Sequence, residues 1–264
     1  PSDESFYLQP SDYGVSLYNE NDIRGYTQGW MMRTLSGKRC VSKYYYGYDF
    51  VTRTYHYLDD EDIYKIQPAI PTFRAHDLHF LLAEAETHLG HFDQAYVILN
   101  HGASAEFPDK KLPWQTDPAW DQRYDPWVSA PSGGYGNLGI AGSANGTMHD
   151  LPRPGDDDWD NYTEDQLKEM YDWALADEHM KEYIAEGKSY SYMCKIAERY
   201  ANSAYRNGNE EKARDSVAVR IGPKYAVTGR QGTVEGRIRS NGYFINWQLQ
   251  EINNPQDQDE EEQQ

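Results

Sequence analysis

Apolar positions change their period along the chain, and each change marks an element. Across residues 72–100, Leu78, Leu81, Leu82, Ala85 and Leu89 recur at three- and four-residue spacing, Gly90 interrupts the run, and Ala95, Ile98 and Leu99 resume it. That rhythm predicts a helical hairpin. Thr163 with Gln166 three residues on reads as a capping box, and Leu167, Met170, Ala174 and Leu175 follow at helical spacing until Glu186-Gly187. A further helix gathers Tyr190, Met193, Cys194, Ala197, Tyr200, Ala201 and Ala204 on one face, Gly208 ends it, and another starts near Glu210. Elsewhere the period is lost. Residues 1–70 hold short β-favouring runs, Arg39 to Tyr46 and Phe50 to Tyr57, among Tyr, Gly and Asp, which predicts loops and a few short strands. Residues 101–160 collect Gly, Pro, Asp and Trp without periodicity, and 251–264 form an acidic tail read as solvated. The expected organisation is a loop and short-strand segment over 1–70, a helical body over 71–250 with an insertion at 101–160, and the tail.

The two hairpins repeat one spacing. Ala83, Gly90 and Ala95 lie seven and five apart, and so do Ala201, Gly208 and Ala213. Small residues at such places let antiparallel helices approach, and glycine turns the chain between them, as in a tetratricopeptide-like unit. Each unit buries its apolar face only against neighbours, so two units call for further partners. The expected fold is mainly α: tetratricopeptide-like hairpins with long irregular insertions and a few short strands.

Composition narrows the function. The 264 residues carry 25 basic and 43 acidic side chains, a net charge of −18. A chain this acidic lacks the cationic footprint of a nucleic-acid binder. Aromatic residues make up 14% and apolar ones 38%, enough for a globular core. No run approaches the roughly 18 apolar residues of a membrane helix, and Pro1 to Ser5 lack the basic and apolar regions of a signal peptide. Two cysteines, Cys40 and Cys194, permit a bridge without predicting one.

The order of several short motifs is similar to the C-terminal half of the SusD/RagB family. It runs from Asn21-Asp-Ile-Arg24 and Lys43-Tyr44 to Arg74-x-x-Asp77-Leu78-x-x-Leu81-x-Ala83-Glu84-Ala85, which leads to Leu99-Asn100. It continues with Gly139-Ile140, Glu182-x-x-x-Glu186-Gly187-Lys188-x-Tyr190 backed by Met193 to Ala197, then Lys224-Tyr225 and Gly242 to Leu249. Two places depart from the pattern: Ala141-Gly142-Ser143 replaces an arginine-containing segment, and Ser191-Tyr192 an aspartate-leucine pair. The resemblance implies a tetratricopeptide-based, lipid-anchored protein at the outer face of an outer membrane. It would act as the lid of a SusC-like TonB-dependent transporter and hold an oligosaccharide or peptide for import. On this reading the chain is a C-terminal portion, and its further partner is the N-terminal remainder of the same fold, which would carry the lipid anchor.

A capture protein of that kind binds through aromatic platforms, because the C–H face of a sugar packs on indole or phenol while its hydroxyls meet polar groups. The candidates are Trp30, Tyr45, Tyr48 and Tyr55 in the first segment and Trp114, Trp120, Tyr124, Trp127 and Tyr135 in the insertion. Catalysis and cofactors find less support. Asp156-Asp-Asp-Trp-Asp160 lacks the glycine and glutamate of an EF-hand loop and reads as a solvated loop with acids facing the next helix N-terminus. His76 and His79, like His88 and His91, share a helical spacing without a recognisable third ligand, so no metal is expected. Gly134-x-Gly136-x-x-Gly139 follows no predicted strand, and neither a nucleophile elbow, a zinc-protease signature nor a Walker A motif occurs. Asp215-Ser216-Val217 resembles an O-glycosylation acceptor but is read as helix surface. The expectation is a non-catalytic binding subunit, with a structural adaptor or a glycan-processing enzyme as rivals.

Overall fold

The computed structural model describes residues 9–22, 24–25, 31–33, 39–41, 43, 48–49, 54–55, 72–73, 75–100, 140–143, 146–202 and 209–243. These residues are mainly helical. A short helix α1 (Asp12–Ser16) precedes two small antiparallel ribbons. In the first, β1 (Met31–Arg33) pairs with β2 (Arg39–Val41); in the second, β3 (Tyr48–Asp49) pairs with β4 (Thr54–Tyr55). Then come α2 (Ala75–His88), α3 (Phe92–Asn100), the short α4 (Ile140–Ser143), the long α5 (Glu164–Glu182), α6 (Lys188–Ala201), α7 (Glu210–Ile221), a 3-10 segment over Gly222–Thr228, and α8 (Gln231–Asn241).

Both hairpins form. α2 packs on α3 across a turn where Gly90 adopts φ +80°, a left-handed conformation that costs a β-carbon-bearing residue dearly. α6 packs on α7, and Ala83, Ala95 and Ala213 are buried as the small-residue spacing requires. Ala204 and Gly208 lie outside the described residues. α5 starts on the expected capping box: the Thr163 hydroxyl accepts from the Gln166 N–H, and the Gln166 side chain accepts from the Thr163 N–H at 2.8 Å. The acids of 156–158 are solvated but do not cap α5; Asp156 Oδ2 instead accepts from the Arg153 N–H at 2.7 Å and closes its own turn.

α5 organises the interior because it is covered on opposite sides. Leu167, Tyr171 and Leu175 join Phe80, Ala83, Phe92 and Ile98 of the first hairpin in one core. Trp173 and Ala176 join Met193, Ile196, Ala213 and Val217 of the second hairpin in another. A helix between two cores has no single apolar stripe, and here its polar positions Asp172, Glu178, His179, Lys181 and Glu182 are buried as well. Buried charge of this kind must be paired; Lys181 pairs with Glu178 within α5, and the other partners come from the rest of the fold.

α2 turns a different face inward from its leucine stripe. Phe80, Ala83 and Thr87 are buried, whereas Leu78, Leu81 and Leu89 are 56%, 53% and 67% exposed. Both sets recur at helical spacing, so periodicity cannot choose between them; the packing against α3 and α5 decides. Cys40 and Cys194 are both buried, and they are not joined in a disulfide.

Candidate functional site

Of the aromatic candidates, Tyr48 and Tyr55 are backbone register partners in the second ribbon. Trp30, Tyr45, Trp114, Trp120, Tyr124, Trp127 and Tyr135 lie outside the described residues, as does Gly134 to Gly139. What the structure brings together instead is the set of charged motif residues.

Arg24 is the centre. Its guanidinium is 1% exposed and forks onto Asp22, with Nε donating to Oδ1 and Nη2 to Oδ2, each at 2.9 Å. Nη1 donates to Glu178 Oε1 at 2.6 Å and to Glu182 Oε2 at 3.2 Å, both on α5. Lys43 donates to the Glu182 carbonyl at 2.5 Å and pairs with Glu186. Glu178 also pairs with Lys181 and lies 2.9 Å from His149 Nε2, and His76 Nδ1 lies 3.3 Å from Glu182 Oε1. Burial alone would raise the Glu178 carboxyl; Arg24 first, then the His149 hydrogen bond and Lys181, outweigh it and hold the group well below the usual carboxylate range. His149 is itself fixed by Asn100, whose side chain accepts from its backbone N–H at 2.8 Å and donates to its carbonyl at 3.0 Å. Loop residue Gly146 is needed here: a β-carbon at that position would stand 2.7 Å from Arg24 Nη2 and 2.9 Å from Asp22 Oδ2.

Comparison with family models, with curated proteins and with solved structures returns no match for this chain.

A second network stitches α2 to α6. Lys188 pairs with Asp77 at 3.2 Å, Lys195 with Glu84 at 2.6 Å, and Arg199 lies 2.8 Å from His88, so each contact spans 111 positions. Asp77, Glu84 and His88 are spaced seven and four apart, and so are Lys188, Lys195 and Arg199. A constant offset means that the two helices run parallel in register. Arg199 ties in α5 as well, donating to Asp172 Oδ2 at 2.7 Å, and the Tyr200 hydroxyl donates to the same oxygen at 2.7 Å. The signal for this ladder in the sequence is two series with identical spacing, Asp77, Glu84 and His88 against Lys188, Lys195 and Arg199, of which the first two pairs carry opposite charge.

Glu84, His88 and Asp172 do assemble the carboxylate and third-ligand geometry that spacing along one helix could not reveal, with ligand atoms within 4.8 Å of one another. Arg199 already spans that set, bonding Glu84, His88 and Asp172. A divalent cation would have to displace a guanidinium held by two carboxylates, so the group works as an ion-pair junction. His79 is neutral near pH 7, since burial first and the His76 ring second lower it to about 4.

Two concavities are formed by described residues. One, of about 460 Å³, is open and bordered by Trp159, Tyr162, Asp160 and Glu164. The other, of about 350 Å³, lies between α1, the α5–α6 junction and the 3-10 segment; Leu17, Tyr18, Met180, Ile184 and Tyr190 contribute its apolar walls, and Lys224 its charge. No helix among the described residues is long and apolar enough to cross a membrane.

Proposed function

We propose that this chain is part of a SusD-like substrate-capture subunit, a non-catalytic partner of a TonB-dependent outer-membrane transporter that holds an oligosaccharide or peptide. The observation that carries the reading is the meeting of its motifs. Asp22 and Arg24, Lys43, Asp77, and Glu182 with Glu186 and Lys188 belong to four separate motifs, yet they pair across them: Arg24 with Glu182 and Lys43 with Glu186 in the interior, and Lys188 with Asp77 at a part-buried position. Residues that must coincide to satisfy buried charge form one structural signature, so their order along the chain is more telling than any single motif.

In the finer version of this reading, the hairpins are tetratricopeptide-like units. Repeat-equivalent positions, such as Ala83 and Ala201, are 118 apart, whereas touching positions on α2 and α6 are 111 apart. The difference of seven residues is a stagger of about 10 Å along the helix axis, as expected of units stacked with a superhelical offset. The uncovered leucine stripe of α2 supports a further hairpin, from the remainder of the fold, packing there.

The test is twofold. Co-purification from outer membranes should recover a large β-barrel, and calorimetry should show saturable binding of an oligosaccharide or peptide that the Trp120→Ala, Trp127→Ala double variant abolishes. A barrel partner without any nutrient binding would favour a structural adaptor. Release of cleaved products would overturn the non-catalytic reading.

A further inference from the structure

Among the charged motif residues, Arg24, Lys43 and Lys188 each meet a carboxylate. Among the described residues Lys224 does not. It belongs to the 3-10 segment behind α7 and lines the 350 Å³ cavity, and no described carboxylate lines that cavity with it. Lys224 is exposed to solvent, and partial desolvation beside the protein surface lowers its pKa.

The opposite wall is held in an unusual backbone shape. After α5 ends at Glu182, Ala185 adopts φ +62° and Gly187 φ +74°. A left-handed alanine is disfavoured, because its β-carbon crowds the following carbonyl oxygen. It persists because the neighbouring side chains are fastened inward, Glu186 on Lys43 and Lys188 on Asp77. Ile184, Ala185 and Gly187 of this turn line the cavity. Strain stored at a concavity is a feature that binding sites share.

We propose that this cavity binds a small amphipathic monocarboxylate, with its apolar chain against Leu17, Met180, Ile184 and Tyr190 and its carboxylate on the Lys224 ammonium. At about 30 Å³ per water-sized group, the space admits a chain the size of octanoate, and its volume falls within the range of small-molecule pockets. The cation supplies selectivity: an alcohol of the same length gains the apolar contacts but not the ion pair, and an amine is repelled. This site is separate from the aromatic platforms assigned to nutrient capture and does not depend on that assignment.

The test is calorimetry on the full chain with octanoate, 1-octanol and octylamine. The expected result is saturable octanoate binding at least tenfold tighter than octanol, with no octylamine binding. Lys224→Met should bring octanoate down to the octanol level while Lys224→Arg keeps it. Leu17→Trp, which fills the cavity, should abolish both. Circular dichroism of each variant verifies the fold; Lys224 has no ion pair among the described residues, so its replacement is expected to leave the helices intact. Equal binding of octanoate and octanol, an unchanged affinity in Lys224→Met, or no saturable octanoate binding would each overturn the proposal.

Discussion

Replacing Arg24 with methionine probes the buried network most directly, since methionine keeps much of the apolar bulk and removes only the charge and its donors. Asp22 and Glu178, both 0% exposed, then lose the guanidinium that faces them. At an effective dielectric near 20, one such contact about 4 Å long is worth roughly 4 kcal/mol, and relief of the guanidinium's own desolvation offsets part of the three that are lost, to Asp22, Glu178 and Glu182. Removing one partner of a buried ion pair typically costs about 3–5 kcal/mol. That is a large share of the roughly 5–15 kcal/mol by which domains are stable. For a chain of this size it lowers Tm by roughly 6–20 °C. Urea unfolding followed by far-UV circular dichroism at pH 7.5 measures the loss. The pH dependence adds a check of sign. In the native protein Glu178 lies below its unfolded value, so its contribution is present above the ordinary carboxylate pKa and is lost as pH falls through the depressed folded pKa. In Arg24→Met, burial outweighs the remaining His149 and Lys181, the folded pKa rises above the unfolded one, and stability grows as pH is lowered from 7 toward 5. Adding Glu178→Gln to Arg24→Met should recover part of the loss. A loss under about 1 kcal/mol, or an unchanged slope with pH, would refute a charge-paired interior.

Two further substitutions test the surroundings. Gly146→Ala places a methyl group against the Arg24 fork and should cost about 1–3 kcal/mol, read as a shift in the urea midpoint at constant slope. Arg199→Lys keeps the charge but cannot bridge Glu84, His88 and Asp172 at once, and should cost about 1–3 kcal/mol in the same assay.

The parts of this protein that were legible from sequence are those whose causes are local. Gly90 between two periodic runs announced the turn between α2 and α3, and Thr163 with Gln166 announced the first turn of α5, because a left-handed turn and a capping box are each set within four residues. The small-residue spacing foretold buried Ala83, Ala95 and Ala213 for the same reason. Tertiary structure alone decided which face of α2 turned inward, since Leu78, Leu81 and Leu89 and the opposing Phe80, Ala83 and Thr87 satisfy the same period. It also decided the meaning of the motif charges. Arg24 and Lys43 sit far along the chain from Glu178, Glu182 and Glu186, and nothing near them in sequence names those partners. Periodicity is a one-dimensional signal that reports how a segment coils; the partner of a charge is chosen by desolvation, which acts only once the packed helices have excluded water between them.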